Sequence, residues 1–149
     1  MAYLVDTSVL ARLANSSDVS YPVAVRAVVE LHRRGEALHV APQNLIEFRS
    51  VATRPLAANG LGLSVAEATS KASIFESAFP LLEETPSIYP AWKALVETLG
   101  VISKQVHDAR LVVTCHIHGV SHLLSFNAVH FARLSAFGPG IVVIDPVNV

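Results

Sequence analysis

Short apolar runs alternate along this chain with longer segments of helical period, and that alternation limits the fold more than any other feature. "YLVD" at 3–6 reads as a strand closed by an acid, and "TSVLARLA" follows at once as a helix start. "PVAVRAVVELHRRG" at 22–35 carries apolar residues at helical spacing and stops at Gly35. "ALHVA" is a second short strand, and "PQNLIEFRSVATR" at 42–54 is a helix with proline in its first turn, ending before Pro55. "LAANGLGLS" reads as a loop, "VAEATSKASIFESAF" at 65–79 as a helix, "PLLEE" as a candidate strand, and "PAWKALVETLG" at 90–100 as a helix ending at Gly100. In the last third, "VHDARLVVTCHIHG" is a helix running into a terminal glycine. "SHLLSF" is a strand, "NAVHFARLS" a loop or short helix, and "IVVI" a last buried strand before Asp145-Pro146.

Strands alternating with helices predict an α/β fold: a parallel sheet joined by right-handed crossovers. Such open sheets collect ligands beyond the carboxyl ends of their strands. The 149 residues fit one domain, 1–149, long enough to bury a core.

Composition narrows the class. Hydrophobic residues make up 52% and charged residues 15%, which excludes a disordered or tail-like chain. No apolar run approaches the ~20 residues needed to span a bilayer. No basic segment precedes a long apolar stretch, so no secretory leader is visible. A single cysteine, Cys115, excludes an internal disulfide and a cysteine-based zinc cage. A soluble, cytoplasmic protein with no membrane partner is expected. The net charge of −1 gives no overall basic footprint for nucleic acid, although a metal site places positive charge locally where a phosphate sits. The high apolar fraction points to a face covered by a partner or a second subunit.

The chain has four aspartates, Asp6, Asp18, Asp108 and Asp145. Asp6 ends the first strand and Asp108 opens a helix that leads into a later strand, so both face the same sheet edge. Each has a plain structural alternative, as a helix N-cap or a helix-dipole partner. Glu47 sits within "LIEF", between apolar neighbours, and neither Arg49 nor Arg54 lies at the i+3 or i+4 position that would pair it. A partly buried carboxylate there needs a cation or hydrogen-bond donors. The alternative is a helix-end glutamate reaching solvent. Three acids converging on one crevice would repel strongly without a cation, and magnesium or manganese prefers such oxygen ligands.

"VDTSVL", "NLIEFRS", "SKQVHDARLV", "HGVSHLLSFN", "HF" and "IVVIDP", in that order along the chain, resemble a PIN domain of the VapC toxin type. No single one of these motifs is specific; the ordered set is. The resemblance implies a three-layer α/β/α fold around a mostly parallel sheet of about five strands. It implies an Mg2+- or Mn2+-dependent ribonuclease, the toxin of a toxin–antitoxin pair, which dimerises and is blocked by a small antitoxin covering the acidic site. Asp6, Glu47 and Asp108 match the first three acids of the motif. The fourth place departs from it: Asn127 and His130 stand where the family often has acids. Asn127 can still ligate through its amide oxygen, but without charge, so one metal is a better expectation than two.

The reaction expected of such a site is hydrolysis of an RNA phosphodiester. A divalent ion on Asp6 and Asp108 polarises the phosphate and acidifies water, while Glu47 completes the shell or acts as base. Thr7 and Ser8 could donate to the Asp6 carboxylate or to a substrate phosphate, or serve only as helix-start hydroxyls. Lys104 and Arg110, flanking Asp108, are candidate phosphate contacts. The competing reading is a catalytically weak PIN-like module that binds RNA or a protein without cutting.

Other constellations are weaker. Among the seven histidines, His116, His118 and His122 cluster in sequence, but two-residue spacing does not put them on one helix face. No G-x-S-x-G hydrolase motif is present. "NGLGL" lacks a phosphate-loop lysine. Cys115 reads as core, and Trp92 and Phe75 as core or dimer contacts rather than stacking platforms for bases.

Overall fold

The computed structural model describes residues 1–149 and resolves the alternation into four strands and six α-helices. The strands are β1 (Ala2–Val5), β2 (Ala37–His39), β3 (His122–Leu124) and β4 (Val142–Ile144). All pair in parallel, in the order β2-β1-β3-β4. The helices are α1 (Thr7–Leu13), α2 (Tyr21–Arg33), α3 (Pro42–Thr53), α4 (Val65–Ala78), α5 (Ile88–Leu99) and α6 (Gln105–His118).

Alternation along the strands sorts the helices into two layers. Tyr3 and Val5 of β1 join the core beneath α1 to α4, with Leu10, Leu31, Phe48 and Phe75. Leu4, between them, joins the opposite core with Leu95 of α5 and Leu111 of α6. Leu124 and Leu123 of β3 divide in the same way. The result is the expected α/β/α sandwich. α6 is the most deeply set helix, with Ala109, Leu111, Val112, Val113 and Cys115 all buried. Cys115 is core, as predicted, and burial pushes its thiol up to about 12.

Two boundaries differ from the sequence reading. The sheet has four strands where about five were expected, because "PLLEE" contributes only an isolated bridge from Leu81 to Val40. Pro80 has no N–H for a ladder, and the acids that follow keep the segment at the surface. α5 begins at Ile88, before Pro90, since proline is tolerated in a first turn. The predicted stops at Gly100 and Gly119 hold. Both take left-handed φ, 61° and 65°, which costs glycine nothing and lets each cap return its N–H to the last turn.

The topology also fixes where a site can form. The chain leaves β1 to one side for β2, then crosses to the other side for β3. The carboxyl ends of β1 and β3 therefore flank the point where the crossovers diverge, and a crevice opens there. α6 runs back antiparallel to the strand it feeds, so its first turn begins at that same edge.

Candidate functional site

In the register of the β1–β3 pair, Val5 lies beside Leu124. The next residues, Asp6 and Ser125, consequently emerge side by side at the sheet edge. Asp6 is buried and begins α1, yet its side chain makes no capping bond. Its Oδ2 instead accepts from Ser8 Oγ and Ser125 Oγ, both at 2.7 Å. Each hydroxyl is oriented in turn by a backbone amide: Phe126 N–H donates to Ser8 Oγ at 3.1 Å and Asn127 N–H to Ser125 Oγ at 3.0 Å. The hydroxyl protons are thereby committed to Asp6, and no other protein donor competes for its Oδ1.

Glu47 projects from α3 and is half-buried. No cation pairs with it, in keeping with the sequence reading. Donors hold it instead: Thr7 Oγ1 gives its proton to Oε2 and Gln43 Nε2 donates to Oε1, each at 2.8 Å. The Thr7 hydroxyl is thus spent on Glu47. Gln43 does more than brace one turn of helix. Its Nε2 also donates to His107 O at 2.8 Å and its Oε1 accepts from Arg110 at 3.3 Å, so it ties α3 to the first turn of α6.

Asp108 stands in that first turn, half-buried, and no hydrogen-bond donor within the chain reaches its carboxylate. Its carboxyl is pushed up from 3.8 to about 6. Burial is the largest cause, followed by repulsion from Asp6 and then Glu47, with His130 and His107 offsetting part of it. None of the five ion pairs in the chain includes any of the three acids.

The three acids and Asn127 line one pocket of about 270 Å³, with Arg12 on its wall. Asn127 is exposed and its side-chain amide is uncommitted. His130 faces Asp108 closely enough to favour its ionised form. Arg12 is turned partly away: its guanidinium lies 4.7 Å from the Phe126 ring centroid and donates to Ser8 O at 2.9 Å. An adjoining depression shares Thr7, Glu47 and Asp108 and carries Lys104, Arg54 and His107. Lys104 is exposed and unpaired in the depression that Asp108 also lines. Arg110, the other predicted contact, is engaged by Glu84 Oε2 at 2.5 Å.

The donor set is all oxygen, which suits a hard divalent cation. No three His, Cys, Asp or Glu side chains are drawn together tightly enough to form a closed cage. A magnesium ion, which keeps several waters, would need only one or two of these carboxylates as direct ligands. The three histidines that cluster in sequence turn to different neighbours. His118 Nε2 meets Glu83 O at 2.8 Å, His122 Nδ1 meets Ser121 Oγ at 2.7 Å, and His116 is packed near Gly138.

Sequence reasoning passed over Ser125, Gln43 and Arg12. Ser125 had a readable signal, since a polar residue one step past the apolar run of β3 repeats the position of Asp6 after β1. Gln43 lies at i−4 from Glu47. Nothing local marks Arg12.

A parallel α/β sandwich that gathers carboxylates at its topological switch point defines an acidic-site α/β domain. The chain belongs to the PIN domain family, whose model matches residues 3–136. Solved structures share the fold over most of their length. VapBC2 from Rickettsia felis, bound to a DNA fragment from its promoter, aligns with a TM-score of 0.69 at 17% identity, covering 97% of this chain and 98% of that one. VapC20 of Mycobacterium tuberculosis, a sarcin–ricin loop cleaving toxin, aligns at 0.64 and 19% identity, covering 88% and 94%. FitAcB from Neisseria gonorrhoeae aligns at 0.63 and 15% identity, covering 99% of each. No curated protein matches the sequence significantly.

Proposed function

We propose that this protein is a divalent-metal-dependent endoribonuclease, using Mg2+ or Mn2+, and the toxin of a VapBC-type toxin–antitoxin pair. One observation carries the reading: Asp6, Glu47 and Asp108, brought together from three distant segments, share a pocket with no compensating ion pair, and Asp108 is held up to about 6 by burial and by the other two. Membership of the PIN family and likeness to VapC-type structures support it.

Asp6 and Asp108 hold the ion, with the Asn127 amide oxygen as a neutral further ligand. When bound, a divalent cation neutralises charge on the scissile phosphate and makes water more acidic. Glu47 completes the shell or accepts the attacking water's proton at an Oε, its position fixed by Thr7 and Gln43. Lys104 contacts a flanking RNA phosphate. An antitoxin would present basic groups to the same pocket, and a homodimer would cover exposed apolar residues such as Val65 and Ile74. No helix is long and apolar enough to cross a membrane, and the reading places the protein in the cytoplasm.

A fluorogenic single-stranded RNA, assayed with Mg2+, Mn2+ or chelator, tests this. Cleavage should need the metal and stop with chelator. Asn127 in place of an acid, and the absence of a closed cage, favour the second reading, a PIN-like module that binds RNA or protein without cutting. RNA binding with no metal-dependent cleavage would establish that reading instead.

A further inference from the structure

The groove does not end at the acids. The depression holding Lys104 and Asp108 shares Glu47 and His107 with a second one, which contains Gln43 and Arg110. The second shares His107 and Arg110 with a third, walled by Tyr89, Trp92 and Val106. A continuous track therefore leads from Asn127 across the three carboxylates to an aromatic end.

At that end the Tyr89 and Trp92 rings stack, with centroids 5.7 Å apart and planes inclined at 28°. Trp92 Nε1 donates to Val106 O at 2.7 Å, which satisfies the indole's only polar atom and fixes the ring. Tyr89 is 66% exposed. Phe75 behaves as the sequence suggested and is buried, edge-on to Phe48 at 5.0 Å. Trp92 meets that expectation only in part: it leans on the core from outside and opens to the groove.

We propose that the Tyr89–Trp92 cleft is a nucleobase subsite, taking one unpaired base of a single-stranded RNA whose neighbouring phosphate lies over the acids. The inference rests on the nuclease reading above. Aromatic faces stack on any base, whereas hydrogen-bond readout would need polar groups aimed at base edges. His107 and Arg110 close the cleft on the side facing the acids, and Arg110 is held in place by Glu84 and Gln43. A planar base with a phosphate on that side fits this combination of ring, imidazole and guanidinium. An apolar helix from a protein partner fits it less well, because Val106 is the only aliphatic wall.

Trp92 is the sole tryptophan, so intrinsic emission reports on the cleft directly. The full chain carrying Asp6→Asn, which keeps RNA intact, is titrated in Mg2+ with a short unstructured oligoribonucleotide and with an abasic oligomer of equal length and charge. The oligoribonucleotide should quench Trp92 saturably and bind about tenfold more tightly than the abasic oligomer. Adding Tyr89→Ser should erase that difference without changing the melting temperature. In the otherwise wild-type chain, Tyr89→Ser should raise KM about tenfold and leave kcat nearly unchanged. Equal affinity for the two oligomers, or RNA bound with Trp92 emission unaltered, overturns the subsite. If the wild-type chain still cuts RNA in that case, the nuclease reading stands without it. If RNA is neither bound nor cut, and emission responds only to protein concentration or to an antitoxin peptide, both readings fall and the cleft is a protein contact.

Discussion

Asp6 and Asp108 meet in one pocket but are held by opposite means. Asp6 is buried at the tip of a central strand, where two serine hydroxyls, each aimed by a backbone amide, donate to one of its oxygens. Asp108 sits on the first turn of a helix, receives no donor, and is pushed up to about 6. The protein has already stabilised one negative charge and left the other to be stabilised from outside. A braced half fixes the position of one carboxylate, and a donor-poor half would supply the attraction for a cation. The difference gives the two residues different mutational signatures even if both are needed for cleavage.

The largest effect expected is on catalysis. Asp6→Asn and Asp108→Asn should each lower metal-dependent RNA cleavage on the order of a thousandfold while the fold survives, read by initial rates and circular dichroism. A variant that cuts at the wild-type rate in Mg2+ or Mn2+ removes that residue from the site. Ser125→Ala comes next. It leaves the Asn127 N–H without its acceptor and frees one side of Asp6, and should cost about 10- to 100-fold in activity or metal affinity. Ser125→Thr should restore most of it, because a threonine hydroxyl can make the same two bonds. If alanine and threonine behave alike, the serine only fills space.

The smallest effects separate the two aspartates most sharply. Asp6→Asn should lower metal-free stability by about 1 kcal/mol, since two charge-assisted bonds become neutral ones. Asp108→Asn should raise the metal-free melting temperature at pH 7.5 by about a few degrees. The sign follows from linkage. Asp108 titrates higher folded than unfolded, so its contribution is full below about pH 4 and lost as pH rises through about 6. Thermal melts in chelator should show that loss in the wild type and not in Asp108→Asn. Adding Mn2+ should remove the loss from the wild type. Melting temperatures that shift in the same direction for both variants would break the contrast between the two halves.

Much of this was legible in the sequence because the informative signals are periodic or positional. Apolar period located the strands, glycine stops closed α5 and α6, and an acid one step past an apolar run marked the sheet edge. The three acids were readable because each stands at an element boundary or lacks a helical partner. Ser125, Gln43 and Arg12 escaped for a different reason. Their roles depend on neighbours more than 60 residues away, or on a ring that becomes adjacent only after β3 has docked. The opening of Trp92 to a groove was not readable, because exposure of one ring edge has no sequence period. "PLLEE" shows the limit for short apolar runs, where a proline without an N–H leaves one bridge in place of a ladder.

The hydrogen bond from Ser125 to Asp6 joins residues 119 apart. It carries a consequence for synthesis. The strand bearing Asp6 emerges from the ribosome first, yet its central position in the sheet and the hydroxyl that orients its carboxylate both depend on β3, made near the end. A nascent chain stopped before residue 122 has all six α-helices and both donors of Glu47, but no β3 beside β1 and no Ser125 for Asp6. The acidic edge of the sheet is therefore completed only when the last fifth of the chain has been made.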